Sequence, residues 1–82
     1  MEKYRKFGIV HQNIVSDPEL SLQAKGIYAL LCTYANKNRI CFPSINTLAD
    51  LCDVHPRTVD RKIRELKEKG YIKRVDRKII LL

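Results

Sequence analysis

Eighty-two residues with an apolar fraction of 45% suit one globular domain, near the smallest size that folds on a single core. The net charge of +7 is uneven: residues 56–82 hold ten basic and four acidic side chains, residues 1–55 six and five. Such a patch suits a polyanion, DNA or ribosomal RNA, or an acidic protein surface. With no signal peptide and no apolar run of membrane-spanning length, a membrane is not an expected partner.

Met1 to Lys6 is a short basic start, with Tyr4 among Lys3, Arg5 and Lys6. It reads as a frayed terminus, or as an arm for a phosphate backbone. Phe7 to Val15 carries β-branched and aromatic residues around a polar centre and reads as a short, irregular strand. His11 falls on its surface or edge. Ser16-Asp17-Pro18-Glu19 is a turn or a single helical turn that Asp17 can cap. Ser21 is the N-cap of a helix from Leu22 to about Asn36, with Ala24, Ile27, Tyr28, Leu31, Cys32, Tyr34 and Ala35 on its apolar face. Gly26 costs that helix about 1 kcal/mol relative to alanine, and close packing of another element there would account for it.

Asn36 to Arg39 is a polar loop, and Ile40-Cys41-Phe42 is a short extended segment that Pro43 helps to end. Residues 43–70 then read as two helices joined by a tight turn. Ser44 caps the first, where Ile45, Leu48, Ala49 and Cys52 recur at helical spacing. Asp53 tolerates a left-handed turn position, and Val54 plugs the angle between the helices. Pro56 suits the first position of the second helix. Val59, Ile63 and Leu66 form its narrow apolar stripe, and Gly70 ends it. Tyr71–Val75 and Lys78–Leu82 are strand-like runs around Asp76-Arg77, a hairpin with a basic tip.

At about 100° per residue, Arg57, Arg61 and Arg64 lie opposite the Val59–Ile63–Leu66 stripe. Guanidinium groups bond phosphates and can fork onto O6 and N7 of guanine. The same face also contains the i,i+4 pairs Asp60/Arg64, Arg61/Glu65 and Arg64/Glu68, so it reads equally as a solvated, salt-bridged surface. Cys32, Cys41 and Cys52, an odd number without C-x-x-C spacing, read as reduced, mostly buried thiols of a cytoplasmic chain. With His11 or His55 they do not make a zinc pattern. No nucleophile–base constellation and no phosphate loop is visible. The expectation is therefore no enzyme, no metal and no cofactor.

The order strand, helix, short strand, helix, turn, helix, hairpin is that of a winged helix-turn-helix domain. The match extends to residues: Leu20-Ser21-x-x-Ala24-Lys25-Gly26-Ile27-Tyr28-Ala29-Leu30-Leu31, Cys41-Phe42-Pro43-Ser44-x-x-x-Leu48-Ala49, and Arg57-Thr58-Val59-x-Arg61-x-Ile63-x-Glu65-Leu66-x-x-Lys69-Gly70-Tyr71-Ile72. Over about residues 7–75 the chain resembles a bacterial winged helix-turn-helix family found in phage and plasmid replication proteins, replisome organisers and small regulators of mobile elements. The resemblance implies an α+β fold, mainly helical: a three-helix core, a C-terminal hairpin wing and a short N-terminal strand, over residues 1–82. Two positions depart from the family, Asp53 where glycine is common and His55 where serine is common. As a weaker cap than serine, His55 is expected to face a phosphate. The apolar end Ile79-Ile80-Leu81-Leu82 is covered by the domain's own core or by a second copy, or the domain is the N-terminal module of a longer protein.

By resemblance, the partner is double-stranded DNA, in plasmid or phage replication initiation or in transcription regulation. The second helix would enter the major groove with Arg57, Thr58, Arg61, Lys62 and Arg64, and the wing would lie along the backbone or minor groove. Ser44, Thr47, His55, Lys73, Arg74, Arg77 and Lys78 would contact the backbone. A homodimer is compatible with this reading. The alternative is a winged-helix interaction or dimerisation module whose basic face meets an acidic protein.

Overall fold

A computed structural model describes residues 8–82. The basic start and Phe7 lie outside the described residues. The elements run α1 (Gln12–Val15), α2 (Leu22–Tyr34), β1 (Ile40–Cys41), α3 (Ile45–Cys52), α4 (Pro56–Glu68), β2 (Ile72–Val75) and β3 (Lys78–Leu81). The strands form one antiparallel sheet in the order β1-β3-β2. Helix α4 packs against α2, α3 and β2. This mixture of helices with a small antiparallel sheet is a winged helix-turn-helix architecture, with α3 and α4 as the two-helix unit and β2–β3 as the wing.

Among the described residues the expected N-terminal strand is not formed. Residues 12–15 are the helical turn α1, where Ser16 N–H donates to the Gln12 carbonyl at 2.8 Å. The run His11-Gln12-Asn13 is exposed throughout, so it lacks the alternation that half-buries a strand. One helical turn satisfies the backbone locally and delivers Ile14 to the core. The preceding chain lies tight against the end of α2. A Cβ on Gly8 would stand 2.6 Å from the carbonyl carbon and oxygen of Cys32, closer than a side chain can come.

The caps are those the sequence specifies. Ser21 Oγ accepts from Ala24 N–H at 3.2 Å, and Ser44 Oγ accepts from Thr47 N–H at 3.4 Å. Asp53 takes the left-handed conformation with φ 54°, and Val54 N–H donates back to the Ala49 carbonyl at 3.0 Å. Gly70, with φ 82°, ends α4 the same way, as Tyr71 N–H donates to Leu66. Helix α2 stops at Tyr34, two residues short of expectation. Asn36 Oδ1 accepts instead from Asn38 and Ile40 N–H, which ties up the loop. Gly26 has no close neighbour: a Cβ there would meet nothing within 4 Å, and nothing in the structure explains the glycine.

The apolar end is resolved by strand order. As the central strand, β3 sends Ile79 and Leu81 into the core, while Leu82 stays exposed. Val59, Ile63 and Leu66 meet them there with Leu48, Ala49 and the buried face of α2. Cys32 and Cys41 are buried free thiols. Burial pushes the Cys41 thiol up to about 11, so it stays protonated and packs as a small hydrophobe.

Two carboxylates brace the helices. The Glu65 carboxylate on α4 accepts from the backbone N–H and the hydroxyl of Ser21, both at 2.9 Å, and so ties the start of α2 to α4. Asp17 accepts from the Tyr71 hydroxyl and lies 3.4 Å from Lys69 Nζ, joining the early turn to the end of α4. The Ser21 amide bond is the main reason Glu65 is held below the ordinary carboxylate range; for Asp17 it is the Tyr71 hydroxyl. A carboxylate depressed in the folded state binds fewer protons there than in the unfolded chain, so stability rises with pH. Thermal stability should therefore be level above the unfolded carboxylate values of 4.5 and 3.8 and fall as acid titrates the folded groups. Melting curves of Glu65→Gln and Asp17→Asn should show a shallower acid slope than the parent; equal slopes would contradict this.

Candidate nucleic-acid interface

Helix α4 presents three different flanks. The apolar stripe faces inward, with Val59, Ile63 and Leu66 all buried. One side flank faces α2. Here Lys62 Nζ lies 3.5 Å from Glu65 Oε1 with its side chain only 20% exposed. Thr58 is half-buried on this flank and lines an apolar hollow with Gln23, Gly26, Ile27, Cys52 and Val54. The geometry therefore sets Lys62 and Thr58 apart from the other residues expected to read DNA. Lys62 is spent on the Glu65 brace.

The outer flank carries Arg57, Arg61 and Arg64, all exposed. The pair Arg64/Asp60 forms at 2.9 Å. Arg61/Glu65 does not, because Glu65 is already committed to Ser21 and Lys62. Among the described residues no ion pair holds Arg57 or Arg61, which leaves both guanidiniums available to a ligand.

The wing joins this flank through one acid. Asp60 Oδ2 meets Arg64 at 2.9 Å, and Asp60 Oδ1 meets Arg74 of β2 at 3.6 Å. Asp60 thus holds one arginine from the helix and one from the wing on adjoining ground. Lys73 and Arg77 are exposed and Lys78 is half-buried, around the Asp76-Arg77 tip. Asp76 supplies the turn's left-handed residue, φ 54°, in place of glycine. The Arg74–Asp60 contact is not legible in sequence spacing, because it crosses from helix to strand. Asp60 to Arg64 is legible at i,i+4.

At the near end of α3, Ser44 and Thr47 are exposed beside the helix N-terminus, where amides favour anions. His55 is exposed but differs from expectation. Its Nδ1 accepts from Arg57 N–H at 3.0 Å, so it does cap α4, which leaves Nε2 for another partner. The cap also fixes the backbone from which Arg57 projects.

A model of the helix-turn-helix domain family matches residues 19–72. The chain belongs to the helix-turn-helix domain family. The matched segment runs from the turn before α2 into β2 and includes the whole α3–α4 unit. Membership suggests DNA binding. No curated protein and no solved structure gives a significant match. Among the described residues no helix is long and apolar enough to cross a membrane.

Proposed function

We propose that this helix-turn-helix domain is a cytoplasmic, non-enzymatic module that binds double-stranded DNA. In this reading α4 enters the major groove, and the β2–β3 wing lies on the adjacent backbone. The observation that carries it is the convergence of Arg64 and Arg74 on Asp60, which makes one basic surface of the arginine flank and the wing. Arg57 and Arg61 are its base-reading candidates, since they are exposed and uncommitted. Ser44, Thr47, Lys73, Arg77 and Lys78 are backbone contacts. A role in plasmid or phage replication or in transcription regulation rests on the resemblance of the sequence motifs to those proteins. A homodimer on a two-fold symmetric site fits the same geometry.

Selection of bound duplexes from a random pool, followed by titration of variants on the selected site, tests this reading. Arg61→Ala should cost about 1–3 kcal/mol of discrimination at one base pair if its contact is bidentate to guanine. Unchanged affinity and preference in both Arg57→Ala and Arg61→Ala would place the wrong face on DNA.

A further inference from the structure

Phe42 is 69% exposed. Its position follows from the sheet. Cys41 pairs with Ile79 and is buried, so the next residue emerges beyond the strand, alongside Lys78. Pro43 holds Phe42 in extended backbone, between the wing and the start of α3. A hollow of about 420 Å³ on one side is lined by Phe42 with Tyr34, Pro43, Ser44, Thr47 and Leu48. Two more, of about 410 and 680 Å³, lie on the wing side, where the ring is joined by Arg74, Asp76, Arg77 and Lys78. The three cations outnumber Asp76 there, and still do with Arg74 shared by Asp60.

An exposed ring alone would fit a protein partner as well as a nucleic acid. A ring set among cations at the edge of a basic surface is the pairing that single-stranded nucleic acid uses. The aromatic face stacks on a base, and the cations hold the phosphates on either side. Paired bases inside a duplex do not offer a free face. We infer that Phe42, with Arg74, Arg77 and Lys78, forms a site for an unstacked nucleobase, so that the domain prefers DNA with an unpaired base beside the duplex. This rests on the reading that the surface binds duplex DNA.

The test compares fluorescence anisotropy of a blunt duplex with that of the same duplex carrying one bulged base or a short single-stranded overhang, at one salt concentration. The parent protein should bind the bulged or overhanging DNA about 5- to 150-fold more tightly, the span of one base–aromatic stack. Phe42→Ala should erase that difference while leaving blunt-duplex affinity unchanged, and Phe42→Trp should keep it. Because the ring is largely exposed, the fold should survive either change. Equal affinity of the parent for all three DNAs overturns the inference and leaves duplex binding standing. So does equal weakening of Phe42→Ala on blunt and bulged DNA. Self-association of the free protein that Phe42→Ala abolishes would show a second copy covering the ring, and also overturns it. No binding to any of the three DNAs overturns the duplex reading together with this one.

Discussion

Val59→Asp should unfold the domain at 25 °C, whereas Arg61→Ala should melt within a few degrees of the parent. Val59 is fully buried in the middle of the inward stripe of α4, with Ile63 and Leu66 beside it. Every side of the site is apolar, so a carboxylate there would find no counter-charge. The penalty for an unpaired buried ion is several kcal/mol even after relaxation. A domain of this length has only about 4–12 kcal/mol to lose. Arg61 is exposed and holds no ion pair among the described residues, and surface changes of that kind usually stay within about 0.5 kcal/mol. One kcal/mol moves the melting temperature of so small a domain by about 4–8 °C. Circular-dichroism melts of the two variants decide it. A cooperative melt of Val59→Asp near the parent's would mean the stripe is not the core, and loss of fold in Arg61→Ala would mean the outer flank is structural.

Raising salt from 50 to 200 mM should weaken duplex binding roughly 40- to 500-fold. With Arg57 and Arg61 turned to the bases, the surface offers the backbone Lys73, Arg77 and Lys78, which are outside any ion pair of the described residues. Arg64 and Arg74 join them if DNA draws them from Asp60. That makes about three to five phosphate contacts. Each displaces condensed counterions and contributes about −0.9 to the slope of log affinity against log salt. Arg77→Ala should flatten the slope by about one unit and weaken all sequences alike, since the wing tip serves the backbone and not base edges. Affinity that does not change with salt would remove the polyanion reading altogether. A slope much steeper than about five contacts allow would point to a second protomer on the site.

Local chemistry was legible residue by residue. Ser21 and Ser44 are N-caps because a hydroxyl at that position meets a free amide, whatever lies around it. Asp53 and Gly70 end their helices because few residues accept left-handed backbone. The Val59–Ile63–Leu66 stripe and the arginine flank opposite it follow from 3.6 residues per turn. Those same features lie within the matched residues and define the two-helix unit. Other placements were not legible, in most cases because the partner lies far along the chain. Phe7–Val15 has strand-like composition, yet Ile14 is needed in the core and Gly8 fits against the α2 backbone, so a helical turn forms. Lys62 falls on the side flank by the helical period, but the anchoring of its partner Glu65 to Ser21, forty-four residues away, was set by tertiary contact. Arg61 is released by that same bond. His55 could either cap or reach outward, and its Nδ1 was committed by the turn that brings Arg57 N–H within 3.0 Å. What covers the apolar end of the chain is open until β3 is placed between β1 and β2, which buries Ile79 and Leu81 in the domain's own core. What periodicity and caps determine is the identity of α2, α3 and α4 and their inward faces. Which charges stay free on the outward face was decided by tertiary contacts, because an ion pair depends on distance in space and not on spacing along the chain.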